Sequence, residues 1–211
     1  MSTSLSLGIL ASGRGSNFSA ILNSIKKHEL DARINVLISN RKNAGALEIA
    51  DQNQIPAVFI SQKKFKDSVQ FDEQILKTLK KYNANLVVLA GYMRLLTKEL
   101  VKQFQNRILN IHPALLPSFG GKGMYGHHVH EAVLKRGCKV SGVTVHLVDE
   151  IYDHGPIIKQ KCVPVLEGDT RESLAARILK QEHTIYTEAL QLFAENRVKV
   201  ESQCAIILPE S

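Results

Sequence analysis

The chain has 211 residues, 44% of them hydrophobic and 22% charged, with a formal net charge of +7. That length supports one domain with a sizeable core, and that balance excludes wholesale disorder. No apolar run approaches the ~20 residues that span a bilayer, and the lysines are scattered, as in "KKFK" (63–66) and "KTLKK" (77–81), without the aromatic-basic platform of a nucleic-acid surface.

The start, "MSTSLSLGILAS", lacks the charged n-region of a signal peptide. Its apolar part reads as a first strand over 5–11, ended by Ser12-Gly13, and 17–27 carries Phe18, Ile21, Leu22 and Ile25 at helical spacing. "RINVLISN" (33–40) reads as a second strand, "NAGALEIADQN" (43–53) as a helix and "PAVFI" (56–60) as a short third strand. An amphipathic helix spans about 66–82, with Phe71, Ile75, Leu76 and Leu79 on one face. "NLVVLAG" (85–91) is a continuous apolar run of the kind buried on both sides of a parallel sheet, and 107–112 is another. This alternation predicts an α/β fold: a doubly wound, mostly parallel sheet with a Rossmann-like N-terminal half. Beyond a helix at 127–136 the texture changes. Residues 139–150 and 155–166 read as two antiparallel strands, and 170–196 as a long C-terminal helix with Thr170 and Ser173 as candidate N-caps. No repeat or linker divides the chain, so a single domain over 1–211 is expected. The cysteines (138, 162 and 204) are odd in number and without metal-ligand spacing, which fits reduced thiols in a cytoplasmic protein.

Two stretches carry chemistry. The turn "GRGSN" (13–17) follows a strand and opens a helix, yet it is neither the dinucleotide fingerprint, since Phe18 stands where a third glycine belongs, nor a Walker loop. It offers the backbone N–H groups of Gly15, Ser16 and Asn17, with the Ser16 hydroxyl, to one monophosphate. By spacing alone, a plain strand-to-helix turn capped by Ser16 or Asn17 explains it equally well. In "ILNIHPALLPSF" (108–119), Asn110 and His112 end a strand two residues apart and so point to one side, where ligands bind in open α/β sheets. An amide beside an imidazole can stabilise an oxyanion, as acyl transfer requires. His127, His128 and His130 lack a carboxylate or cysteine partner at ligand spacing, so no metal is expected. The glycines at 120, 121, 123 and 126 suggest a lid loop beside His112, and His146 reads as a structural or orienting neighbour.

Together "ILASGRGSN", "VVLAGYMRLL", "ILNIHPALLPSF" and "HLVDEIYDHGPII" resemble the phosphoribosylglycinamide formyltransferases, folate-dependent enzymes of purine biosynthesis, over about residues 7–196. The resemblance implies transfer of a formyl group from the co-substrate 10-formyltetrahydrofolate to the amine of phosphoribosylglycinamide. It implies a catalytic set of Asn110, His112 and Asp153, and a ribonucleotide site of Gly15, Ser16, Asn17 and Glu182. The folate site it implies comprises Met93, Arg94, Leu95, Leu96, Asn110, Asp149 and Asp153. It divides the chain into a ribonucleotide-binding half (5–112), a folate-binding and catalytic half (113–196) and a tail (197–211). Two positions depart from the family pattern: Ser68 stands where many members carry an arginine near the folate tail, with Lys64 or Lys66 as substitutes, and Leu179 replaces a polar residue near the phosphate, beside Lys180. The expected chemistry has protonated His112 and the Asn110 amide on the formyl oxygen, with Asp153 raising the His112 pKa above its ordinary value and relaying the amine proton. Partners are expected to be small molecules only, with no nucleic acid and no membrane, in a monomer or homodimer.

Three other functions share parts of this pattern. A methionyl-tRNA formyltransferase would need a further tRNA-binding domain after Asn196, and a formyltetrahydrofolate hydrolase would lack the GRGSN turn. A non-catalytic nucleotide binder has no need of Asn110, His112 and Asp153 together.

Overall fold

The computed structural model describes residues 5–210; Met1–Ser4, part of the stretch read as lacking a leader, and Ser211 lie outside them. Strand β1 (Leu5–Ala11) buries all of its residues, as a central strand covered on both faces must. The parallel strands β2 (Ala32–Ser39) and β4 (Leu86–Leu89) flank it, β3 (Ala57–Phe59) lies outside β2, and β5 (Ile108–His112) lies outside β4. Alternate residues divide between two cores. Leu5, Leu7, Ile9 and Ala11 pack against Phe18 and Ile21 of α1 (Ser16–Lys26) and Ala46 and Ala50 of α2 (Gly45–Gln52). Leu10, Val87 and Leu89 face Phe71, Ile75 and Leu79 of α3 (Ser68–Lys81) and Leu100 of α4 (Lys98–Gln103). Gly8 is required where α3 crosses, because a Cβ there would run into the Leu79 side chain. The sequence reading has no helix between the fourth and fifth strands; α4, six residues long, is too short to display a period.

After β5 the direction reverses. Helix α5 (His127–Lys135) follows the glycine loop, β6 (Val140–Leu147) pairs antiparallel with β5, and β7 (Ile157–Pro164) pairs antiparallel with β6. The strand order is β3-β2-β1-β4-β5-β6-β7. Helix α6 (Arg171–Ala194) begins in a capping box that uses both candidate residues, the Thr170 hydroxyl accepting from Ser173 N–H and the Ser173 hydroxyl from Thr170 N–H. Its inner face, including Leu174, Ile178, Ile185, Tyr186 and Leu190, closes the larger core. The stretch expected to be a tail instead forms a hairpin, β8 (Val198–Glu201) and β9 (Cys204–Ile207). Val198, Val200 and Ala205 half-bury against the larger core.

Candidate active site

The carboxyl ends of β4 and β5 open onto a cavity of about 480 Å³. Asn17, Met93, Arg94, Leu95, Leu96, Asn110, His112, Asp153 and Glu182 all line it, so the main expected groups converge although they lie up to 165 residues apart. Gly15 and Ser16 sit at the start of α1 beside the cavity rather than in its wall, and Asp149 also lies outside the lining.

Asn110 and His112 share a face of β5 and meet Asp153, which the 148–156 loop delivers. The Asn110 amide nitrogen is 3.1 Å from His146 Nε2 and 3.5 Å from Asp153 Oδ1, and His112 Nδ1 is 3.5 Å from Asp153 Oδ2. The proton positions follow from the partners. His146 Nδ1 lies 2.8 Å from the Leu147 carbonyl, which can only accept, so Nδ1 carries the proton and Nε2 accepts from Asn110. His146 thereby orients the amide and leaves its second N–H toward Asp153. By the same logic His112 Nε2–H donates to the Phe119 carbonyl at 2.8 Å, and Nδ1 faces the carboxylate.

The electrostatics correct one expectation. Burial pulls the His112 pKa below its ordinary value, His146 adds to that, and Asp153 with the Phe119 carbonyl only partly opposes it. His112 is 3% exposed, so removing the imidazolium from water outweighs one carboxylate at 3.5 Å. The imidazole is therefore neutral at neutral pH rather than held charged. Burial pushes the Asp153 carboxyl up, but the His146 and His112 rings when protonated and the Gly121 N–H outweigh that push, so its pKa lies below the ordinary value and it is ionised. That N–H donates to Oδ2 at 2.9 Å, fastening the glycine loop to the carboxylate.

At the α1 end of the cavity, Gly15 rather than Ser16 or Asn17 is the N-cap, and no side chain caps the first turn. Only glycine fits: its φ is +84°, and a Cβ would lie 2.9 Å from Ala46. Asn17 is turned inward, its amide nitrogen donating to Glu182 Oε2 at 2.7 Å while its buried Oδ1 has no hydrogen-bond partner. Burial pushes the Glu182 carboxyl above its ordinary value, and Asn17 opposes the push.

At the other end, Met93 and Leu95 are exposed to the cavity while Tyr92 and Leu96 are buried behind them. The Arg94 guanidinium stacks over Phe71 at 5.0 Å and donates to Gln62 and, at 3.3 Å, to the Ser68 hydroxyl. Ser68 thus holds an arginine instead of being one. Lys64 and Lys66 are exposed on the preceding turn. Asp149 accepts from Ile151 N–H and pairs with His154 at 2.6 Å, shaping the loop that carries Asp153. Leu179 is half-buried on α6, and Lys180 beside it is exposed. His127 and His128 are exposed while His130 is buried, and the three form no metal-ligand group among the described residues. The Phe119 carbonyl and the Gly121 N–H had no signal in the sequence, because every residue type supplies the carbonyl and every one but proline the N–H.

The family model described as "Formyl transferase" matches residues 6–190. The chain is 43% identical over 192 residues to the chloroplastic phosphoribosylglycinamide formyltransferase of Vigna unguiculata, covering 91% of this chain but 62% of that relative. It is 38% identical to the phosphoribosylglycinamide formyltransferase of Bacillus subtilis, covering 87% of this chain and 91% of the relative. Among solved structures, glycinamide ribonucleotide transformylase 1 from Symbiobacterium toebii superposes with a TM-score of 0.93 at 43% identity, covering 98% of this chain and 95% of that one.

Proposed function

The chain belongs to the formyl transferase family, and from that premise we infer that it transfers the formyl group of 10-formyltetrahydrofolate to the amine of phosphoribosylglycinamide in purine biosynthesis. The products are formylglycinamide ribonucleotide and tetrahydrofolate. One observation carries the reading: an amide, an imidazole and a carboxylate meet in a single cavity between the α1 terminus and the Met93–Leu96 wall.

The ribonucleotide phosphate sits on the N–H groups of Gly15, Ser16 and Asn17, where the helix dipole favours a dianion. Glu182 takes its hydroxyl groups, and the folate ring lies along Met93, Arg94, Leu95 and Leu96, bounded by the Asp149–Asp153 loop. The amine attacks the formyl carbon and the carbonyl electron pair moves to oxygen. The second Asn110 N–H turns from Asp153 to that oxyanion. Asp153, ionised, accepts the proton lost by the attacking nitrogen, directly or through one water. The developing negative charge raises the proton affinity of neutral His112, which relays this proton to N10 as the C–N10 bond breaks. The carboxylate and imidazole thus pass one proton between two nitrogens.

The 5–112 half supplies the ribonucleotide wall and the 113–196 half the catalytic loops, with three exchanges: Glu182 reaches across to the ribonucleotide, the 93–96 segment to the folate, and Asn110 and His112 to the reacting centre. Three free cysteines fit a reducing compartment, the cytoplasm, and the assembly we infer is a monomer or homodimer. The deciding assay follows 10-formyltetrahydrofolate with and without phosphoribosylglycinamide. Consumption that requires the ribonucleotide and yields its formyl derivative is expected. Release of formate without the ribonucleotide would make the protein a hydrolase, and no consumption at all would overturn the reading.

A further inference from the structure

Asp72 is the one carboxylate among the described residues that is fully buried, at 2% exposure, and no step of the transfer uses it. It lines no part of the cavity. A carboxylate taken out of water is costly unless its lone pairs are satisfied, and the donor Asp72 finds lies immediately after the folate wall. Its Oδ2 accepts the Thr97 N–H at 2.6 Å. Burial pushes its carboxyl up, and the Thr97 N–H and the Arg94 guanidinium oppose that push. That guanidinium is stacked on Phe71, the residue preceding Asp72, and is held from outside by Gln62 and Ser68. Helix α3 and the turn before it therefore grip the wall in its middle, at Arg94, and at its end, at Thr97.

Between these grips the side chains alternate. Tyr92, Met93, Leu95 and Leu96 all touch the cavity, but Tyr92 and Leu96 are 8% and 4% exposed and join the core around Phe71 and Ile75, whereas Met93 and Leu95 are 52% and 38% exposed. Exposed and buried residues thus alternate along the segment, so a one-residue slip would carry Met93 and Leu95 toward the core and bring their neighbours out. Short and flanked by Gly91 at positive φ, the segment has no ladder of its own to prevent this.

We propose that Asp72 is a positioning residue for the formyl donor: through the Thr97 N–H it fixes the end of the segment whose middle, Arg94, is tied to Phe71, Gln62 and Ser68, and so holds Met93 and Leu95 where they meet the folate ring. The proposal rests on the assignment of this wall to the folate. In Asp72→Asn the acceptor for the Thr97 N–H is a neutral amide oxygen, so the charge-assisted hydrogen bond is lost. The KM for 10-formyltetrahydrofolate should rise about tenfold, as for loss of a charged hydrogen-bond partner, while kcat and the Kd for phosphoribosylglycinamide stay within about twofold, since the other end of the cavity is untouched. Exchange of the Thr97 amide with solvent should quicken in parallel. Gln62→Ala, an exposed change that leaves folding intact, loosens Arg94 from outside and should raise the same KM by about threefold.

An unchanged folate KM in Asp72→Asn would overturn the proposal, whatever Gln62→Ala does. So would equal loss of folate and ribonucleotide affinity, which marks a general structural role. Wild-type protein with no affinity for 10-formyltetrahydrofolate would instead overturn the folate assignment itself, a result read before any variant is compared.

Discussion

At the scale of single residues, burial outweighs the neighbouring charge at His112 but not at Asp153. His112 and Asp153 are close enough to stabilise a charged imidazole, yet the desolvated ring titrates below its ordinary value. NMR titration should therefore place His112 below about 6.5 in the free protein. In Asp153→Asn, where the one raising charge is gone, the pKa should fall further; an unchanged value would remove the electrostatic role of Asp153. His112→Ala should lower kcat at least a hundredfold, the usual contribution of a placed acid-base group, with ribonucleotide affinity retained. His130 offers a second titration. Burial and the neighbouring His127 and His112 depress it from 6.5 to about 4. The unfolded chain takes up a proton near the ordinary value and the native protein does not until much lower pH. Its contribution is thus complete above the unfolded pKa and is lost as pH falls from 6.5 toward about 4, at a cost of about 3 kcal/mol. Urea midpoints at neutral and acid pH should show this loss, and His130→Gln should reduce the slope between pH 6.5 and about 4.

Among the elements, α6 does the most to assemble the site. Four residues after Glu182 it carries Tyr186, fully buried, whose hydroxyl lies 3.0 Å from both the Leu89 and the Leu109 carbonyls. One O–H thus bridges the carboxyl end of β4 to the strand that presents Asn110. Tyr186→Phe keeps the packing but leaves those carbonyls short of a donor, and it should cost about 1–2 kcal/mol. The denaturant midpoint should fall with an unchanged slope, the sign of lost stability rather than altered compactness. A variant as stable as wild type would mean the bridge adds nothing beyond the ring it buries.

For the molecule as a whole, the terminal hairpin stands apart from the chemistry. Its half-buried Val198, Val200 and Ala205 extend the larger core, and none of its residues lines the active cavity. Removing 197–211 should therefore lower stability by about 2 kcal/mol, the scale for partial burial of a few aliphatic side chains, and leave kcat/KM within about twofold. Loss of activity in a truncated protein that still melts cooperatively would contradict this separation.

Much of this organisation is local and readable along the chain. Apolar runs at 5–11, 86–89 and 108–112 are strands because burial on both faces leaves no polar alternation, and the Thr170–Ser173 capping box needs only four residues. Asn110 and His112 share a face because a strand repeats every two residues. Short elements escaped, α4 and the β8–β9 hairpin among them, since few residues show no period. What tertiary structure alone decided is the environment of the chemical groups. Neutral His112, the carbonyl of Phe119 on its Nε2, the Gly121 N–H on Asp153 and the buried carboxylate of Asp72 all depend on which distant segments close over them. Backbone donors and acceptors carry no residue-type signature, and desolvation is a property of the packed whole, so neither is written in any short stretch of sequence.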